Sequence, residues 1–299
     1  MSLSPSEDHP YSIVLPARDE AASLATLLPA LRTAHPTAEI IVVDDASTDD
    51  TVSLSVVHGV RVISHPYSMG NGAAIKTGAR VAHGTRLVFM DADGQHDVAD
   101  IARLLAVLDT GYDMAVGARS SASQASVGRR LGNAVYNRFA SWMTGHPIPD
   151  LTSGFRAVRT TRFREFLYLL PNGFSYPTTI TMAFFRSGYP VAYVPITAHP
   201  RIGQSHIEPF QDAIRFLLVI FKIGTLYSPM RVFLPVSVAL FLLGTGYYLH
   251  TFLSQNRFTN MGVLLYTTSI VIFMMGLVSE QITQLLYGQR SQHDRDEIL

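Results

Sequence analysis

Short apolar runs alternate along the first part of the chain with longer stretches whose apolar residues recur at helical spacing. The short runs are rich in β-branched residues and predict buried strands at residues 11–16, 39–44, 60–64 and 86–91. The longer stretches predict helices at residues 21–34, 72–83 and 98–108. This alternation predicts an α/β fold with a doubly wound, mostly parallel sheet, helices on both faces, and ligands at the C-terminal ends of the strands.

A different pattern follows in the last quarter of the chain, where apolar residues run on almost without interruption. From residue 232 to residue 279, forty-eight residues include one formal charge, that of Arg257. Residues 232–253 would form a helix of about 33 Å at ~1.5 Å per residue, and residues 261–283 a similar one, so each can cross a hydrocarbon core of ~30 Å. We expect a two-helix transmembrane hairpin, with a buried helical hairpin in a soluble protein as the alternative.

The charges beside the two spans indicate how the hairpin is oriented. Basic residues flank the outer ends of the spans, whereas Arg257 stands alone in the connection between them; the flanking residues are Lys222, Arg231, Arg290 and Arg295. The positive-inside rule then predicts that both termini are cytoplasmic. The first ten residues are polar, so no cleaved secretory signal is predicted and the large N-terminal domain is expected to stay in the cytoplasm.

An amphipathic pattern precedes the hairpin. Between residues 207 and 227, charged and amide side chains recur at intervals of three, four or seven, and apolar residues fill the positions between them. The pattern favours a helix in the bilayer interface, and a core-packed helix of the soluble domain is the alternative. The predicted organisation is a cytoplasmic domain at 1–206, an interfacial helix at 207–230, a transmembrane hairpin at 231–285 and a polar cytoplasmic tail at 286–299.

Composition narrows the classes of function. The 299 residues include 23 basic and 23 acidic side chains and no cysteine. Zero net charge gives no sign of the broad positive field of a nucleic-acid-binding protein. A chain without cysteine has no disulfide, no zinc–thiolate site and no thiol nucleophile.

Carboxylates cluster where the predicted strands end. Asp91 and Asp93 follow the fourth strand with Gln95 two residues on, and their oxygen atoms suit Mg²⁺ or Mn²⁺ bound together with a substrate diphosphate. A solvated acidic turn is the alternative for this segment on its own. Residues 44–51, after the second strand, offer carboxylates to a ribose or a base, and helix capping is the alternative there.

In order along the chain, six segments resemble the family 2 glycosyltransferases. They span about 145 residues and are 16–20, 44–51, 70–78, 91–95, 117–119 and 150–156. Together with the hairpin, they are most similar to the branch of dolichyl- and polyprenyl-phosphate mannosyltransferases. The resemblance implies a nucleotide-sugar-binding domain of the GT-A type and an inverting transfer of a hexose from a GDP- or UDP-linked donor.

The resemblance also implies roles for particular residues. Asp93 and Arg119 match catalytic positions, and Asp91, Asp93 and Gln95 match the site of the divalent metal. The positions that match donor-binding residues are Pro16, Ala17, Glu20, Val43, Asp45, Asp91, Ala92, Arg201 and His206. His206 stands where the branch has a lysine, so its charge would depend on pH around its ordinary pKa of ~6.5.

The sequence offers few candidates for a catalytic base, and this bears on the identity of the acceptor. A sugar hydroxyl needs a carboxylate base, and Glu165 is the one acid between residues 157 and 196. A phosphate monoester is already largely ionised at pH 7, since its second pKa is ~6. The sequence therefore favours a polyprenyl phosphate acceptor, and an inward-turned Glu165 or Asp150 keeps the hydroxyl acceptor open as an alternative.

A basic segment offers a place for the acceptor phosphate. Arg129, Arg130 and Asn133 fall together with Asn137 at helical spacing and match a motif of the branch, although Asn133 replaces the usual serine. A solvated basic face is the alternative. The expected partners are a nucleotide sugar, a polyprenyl phosphate and the bilayer, without nucleic acid; a homo-oligomer and a non-catalytic nucleotide-sugar-binding scaffold stay open.

Overall fold

The computed structural model describes residues 9–119, 127–173, 175–197, 221, 224–225, 228–255 and 259–296, and for 127–133, 255 and 286–296 only the backbone. The chain divides into two compact units, Met1–Glu208 and Pro209–Leu299. Most of the predicted interfacial helix at 207–230 lies outside the described residues.

Within the described part of the first unit, seven strands form one mixed sheet. They are β1 (Ser12–Ala17), β2 (Glu39–Asp44), β3 (Arg61–Ser64), β4 (Arg86–Phe89), β5 (Met114–Arg119), β6 (Arg156–Arg159) and β7 (Val191–Ile196). Their order across the sheet is β3-β2-β1-β4-β6-β5-β7. All pairings are parallel except those of β6, which is antiparallel to β4 and β5. The mostly parallel sheet is therefore confirmed, with one reversed strand.

Helices cover this sheet. They are α1 (Ala21–Ala34), α2 (Thr51–Val57), α3 (Asn71–Val81), α4 (Asp100–Asp109), α5 (Val127–Thr144), α6 (Thr160–Arg164) and α7 (Tyr176–Arg186). The leucine stripe of α1 is buried against β1 and β2, whose twelve residues are all buried. Continuous apolar runs are typical of strands covered on both faces.

One strand differs from its prediction. The run at 60–64 predicts a buried strand, but β3 exposes Arg61 and Ser64 and half-exposes the residues between them. The reason is its position, because β3 is the edge strand of the sheet and pairs only with β2.

The second unit contains two long helices, α8 (Pro229–Gln255) and α9 (Asn260–Asp296). Within them, Pro229–Ser254 and Asn260–Leu285 are long and apolar enough to cross a membrane. Ser237 and Ser269 join the helices, since each hydroxyl donates to the other residue's backbone carbonyl at 2.9 Å. Such reciprocal bonds satisfy hydroxyls that would otherwise be buried in an apolar contact.

Candidate functional site

The loops that follow β1 and β2 are joined to each other. Asp19 and Ala46 have φ values of 54° and 61°, which are costly for residues with a Cβ atom. The Asp19 carboxylate accepts hydrogen bonds from the backbone N–H and the hydroxyl of Thr48, at 2.7 and 3.0 Å. The Ser47 hydroxyl accepts one from the backbone N–H of Asp19 at 2.9 Å. These bonds hold together the C-terminal ends of β1 and β2, and the sheet edge between these two ends is here called the crevice.

The donor-binding residues predicted in β1 and β2 meet at this crevice. Pro16 and Val43 are partners in the register of the two strands. Val43 is completely buried, backbone included, and Ala17 is 4% exposed, so neither residue presents an open surface to a ligand. Glu20, just beyond β1, is half-buried and accepts a hydrogen bond from the Ser23 hydroxyl at 3.2 Å.

Asp45 anchors the loop after β3, a role that the sequence does not reveal. Its carboxylate accepts four hydrogen bonds from the loop after β3; the donors are His65 Nδ1 (2.8 Å), Ser68 Oγ (2.8 Å), Met69 N (2.7 Å) and Gly70 N (2.9 Å). Burial raises the pKa of Asp45, but these bonds outweigh burial and hold the pKa below its ordinary value. A charged Asp45 thus fixes the loop at residues 65–70 beside the crevice.

The candidate metal ligands lie at the end of β4. Asp93 is buried, whereas Asp91 and Gln95 are half-buried and Ala92 packs in the core. Gly154 leaves room beside Asp91, because a Cβ atom at residue 154 would lie 3.1 Å from Asp91 Oδ2. Two carboxylates and an amide are hard oxygen donors, which fit Mg²⁺ or Mn²⁺.

Within the described part of the chain, carboxylate and imidazole side chains do not form a closed metal site there. Among the described residues, no group of three or more His, Cys, Asp or Glu side chains could hold a metal ion. Mg²⁺ is commonly held by one or two carboxylates together with substrate phosphates. The donor set therefore fits an ion that shares its coordination with a diphosphate.

Arg119, at the end of β5, forms a bidentate ion pair with Asp150. Its Nε and Nη2 atoms donate to the two carboxylate oxygens of Asp150 at 2.8 and 3.0 Å, and Nη2 also donates to Thr152 Oγ1 at 2.7 Å. Burial lowers the pKa of Arg119, but Asp150 and the charges of Asp91 and Asp93 more than offset burial and raise the pKa above its ordinary value. The guanidinium thus lies within the electrostatic field of the candidate metal ligands.

His96 is buried within reach of the charge of Asp93. Its ring stacks on Phe155, with the centroids 4.7 Å apart, and its Nδ1 atom is buried without a hydrogen-bond partner. Burial lowers the pKa of His96 to about 4, against the opposing charge of Asp93. The imidazole is therefore neutral at physiological pH.

The two acids considered as a base for a hydroxyl acceptor are both engaged in ion pairs. Asp150 is occupied by Arg119. Glu165 accepts from Arg162 at 3.1 Å and from the Tyr189 hydroxyl at 2.6 Å. Burial raises the pKa of Asp150, but its bonds to Arg119 outweigh burial and lower it, so this carboxylate is a poor proton acceptor.

Five of the predicted site residues lie wholly or partly outside the described part of the chain. Arg129, Arg130 and Asn133 lie on α5, but their side chains are outside the described part of the chain, and Arg201 and His206 lie outside it altogether. The described candidates, by contrast, all lie at the C-terminal edge of the parallel strands. The pairing of Arg119 with Asp150 is absent from the sequence predictions, although both residues stand in the segments that carry the resemblance.

A family model decides what kind of protein this is. The model described as glycosyl transferase family 2 matches residues 12–167, which is half of the chain and contains β1 to β6. The chain belongs to glycosyl transferase family 2. This glycosyltransferase also matches the model of the GtrB C-terminal hairpin over residues 228–285, which contain both apolar spans.

Two curated relatives show which enzymes the glycosyltransferase is similar to. It is 29% identical over 175 residues to a dolichyl-phosphate hexose transferase of Haloferax volcanii, covering 58% of this chain and 75% of the relative. It is 29% identical over 205 residues to a polyprenol monophosphomannose synthase of Mycolicibacterium smegmatis, covering 62% of this chain and 76% of the relative.

A solved structure shows the fold class. Glucosyl-3-phosphoglycerate synthase from Mycobacterium tuberculosis, in complex with Mn²⁺ and UDP-glucose, superposes with a TM-score of 0.60 at 19% sequence identity. The match covers 72% of this chain and 79% of that chain. The glycosyltransferase therefore has a GT-A-like mixed sheet with flanking helices.

Proposed function

We propose that this glycosyltransferase transfers a hexose from a GDP- or UDP-linked donor to a polyprenyl phosphate at the cytoplasmic face of a membrane. The observation that carries the proposal is that Asp150 and Glu165, the two acids considered as a base, are both held in ion pairs. A phosphate monoester needs no such base, because its oxygen is already ionised near neutral pH. The names of the two curated relatives support the same acceptor class.

Asp91, Asp93 and Gln95 would hold the divalent metal. When bound, Mg²⁺ or Mn²⁺ supplies electrostatic stabilisation for the negative charge of a departing nucleoside diphosphate. The buried Asp93 and the space beside Gly154 keep the two carboxylates at the sheet edge, and Arg119 adds a fixed positive charge next to them. Because Asp150 holds one edge of the guanidinium through two bonds, this charge needs little reorganisation during the reaction.

The acceptor would reach the site from the bilayer. Arg129, Arg130 and Asn133 on α5 are proposed to bind its phosphate, and Arg201 and His206 are proposed to bind the donor phosphates. The two apolar spans would anchor the enzyme, with both termini cytoplasmic by the positive-inside rule. Attack by the lipid phosphate on the anomeric carbon, opposite the leaving diphosphate, would invert that centre without a covalent enzyme intermediate.

The test is transfer of radiolabel from a panel of GDP- and UDP-hexoses to short polyprenyl phosphates by the full-length protein. We expect a product that mild acid cleaves, as glycosyl phosphates are cleaved. Asp93→Asn should abolish transfer, while Asp109→Asn, a matched change of a surface carboxylate, should leave it intact. An acid-stable product would favour a sugar-hydroxyl acceptor, and donor binding without any transfer would favour a non-catalytic scaffold.

A further inference from the structure

Asn137 on α5 holds the backbone on both sides of Asp150. Its Nδ2 atom donates to the carbonyl of Pro149 at 2.5 Å, and its Oδ1 atom accepts from the N–H of Leu151 at 3.1 Å. Both ends of one amide group are therefore used to fix a stretch of three residues. Its position in a segment that resembles an acceptor-binding motif would not have revealed this role.

Asp150, the residue between these two bonds, holds the guanidinium of Arg119. Asp150 is 3% exposed, so a displaced carboxylate would have little water to replace its partners. Besides the guanidinium, the carboxylate accepts a hydrogen bond from the backbone N–H of Arg119 at 3.2 Å. A shift of Asp150 would thus displace both the side chain and the backbone of Arg119.

We propose that Asn137 is a positioning residue that sets the place of the Arg119 guanidinium through Asp150. The inference rests on the proposed function, in which Arg119 stabilises the departing diphosphate. It also ties α5, which carries the proposed acceptor residues Arg129 and Arg130, to the arginine on the donor side. Asn137 itself touches neither substrate in this assignment.

Ser141 provides a matched control on the same helix. Its hydroxyl accepts a hydrogen bond from the N–H of Ile148 at 2.9 Å, in the same loop but without flanking Asp150. Asn137→Ala and Ser141→Ala should both lower the thermal stability of the full-length protein. Only Asn137→Ala should lower kcat, by about 10- to 100-fold, with the donor KM changed less than about twofold, because misplacement of a catalytic group acts mainly on the transition state. Equal kcat values in the two variants would overturn the proposal.

A second variant tests the geometry by rescue. Asn137→Asp keeps the acceptor for Leu151 but turns a carboxylate oxygen toward the Pro149 carbonyl, and protonation would restore the missing donor. The introduced carboxyl group would contact the residues on both sides of the buried Asp150, and the negative charge of Asp150 would favour its protonated form. We expect its activity relative to wild type to rise about threefold or more between pH 8 and pH 5.5. A ratio that stays flat over this range would contradict the assignment.

Hydrogen exchange separates this inference from the proposed function. In Asn137→Ala without any substrate, the amide of Leu151 should exchange faster, and so should the amide of Arg119, whereas Ser141→Ala should leave the Arg119 amide unchanged. If the exchange rate of the Arg119 amide is unchanged in Asn137→Ala, the inference is wrong, even if the wild-type protein transfers sugar to polyprenyl phosphate. If the wild-type protein does not make that product, the proposed function is wrong, whereas the exchange result on Asn137 still holds.

Discussion

At the scale of single residues, the site depends on the geometry of one guanidinium. Arg119 makes two parallel bonds to Asp150 and a third to Thr152, which a planar fork can do and a lysine ammonium cannot. We therefore predict that Arg119→Lys keeps the charge but lowers kcat by about 10²-fold, as the loss of one preorganised donor does elsewhere. The measurement is steady-state transfer at saturating donor. Arg86→Lys, in a more exposed ion pair with Asp109, should stay within about twofold of wild type.

Asp150 also links stability to pH. Its pKa lies below the ordinary value in the folded protein despite burial, because Arg119 and Thr152 donate to it. A carboxyl group with a lowered folded pKa stabilises the protein above its unfolded pKa, and this contribution is lost as the pH falls through the folded pKa. Asp150→Asn should therefore cost about 2 to 4 kcal/mol at pH 7, and the difference from wild type should shrink below about pH 4.

Trp142, the only tryptophan of the chain, allows this measurement in detergent, because it lies on α5 in the first unit. Urea unfolding of wild type and Asp150→Asn would be followed by its fluorescence from pH 7 to pH 3. A difference in unfolding free energy that is the same at every pH would show that Asp150 acts by packing alone. Asp109→Asn, with a side chain 61% exposed, serves as the control.

At the scale of elements, α3 begins against the backbone of a distant loop. A Cβ atom at Gly72 would lie 2.2 Å from the carbonyl oxygen of Pro171, so Gly72→Ala must displace the helix or the loop. We expect a loss of about 1 to 3 kcal/mol in unfolding free energy, the usual cost of overpacking. In Gly173→Ala the added methyl meets nothing within 4 Å, and stability should hardly change. Equal losses in the two variants, measured by Trp142 fluorescence, would contradict this packing.

The elements also show which parts of the fold a sequence can predict. The bounds of α1 and β2 agree with their predictions, because a leucine stripe and a continuous apolar run are local patterns. The reversed strand β6 is not predicted, since its insertion between β4 and β5 depends on contacts between distant residues. That insertion is also what fixes the distance between Asp93, after β4, and Arg119, at the end of β5. The resemblance could name these residues, but local patterns could not predict their arrangement.

At the scale of the whole molecule, an enzyme acting on a polyprenyl phosphate gains from being anchored in the same bilayer. Confinement replaces a search through solution by a search in a thin layer, which raises the effective concentration of the acceptor. This gain requires the catalytic unit and the acceptor phosphate to be on the same side of the membrane. The arrangement of charges around the spans predicts that this side is the cytoplasm.

The absence of cysteine from the chain makes this orientation directly testable. Ser53→Cys places a single thiol on an exposed position of α2 in the catalytic unit, and Ser254→Cys places one at the end of α8, next to the connection between the spans. With a membrane-impermeant maleimide on intact cells, we expect labelling of Ser254→Cys only, and labelling of Ser53→Cys after permeabilisation. The reverse pattern would put the catalytic unit outside, where a cytoplasmic nucleotide sugar could not reach Asp91 and Asp93.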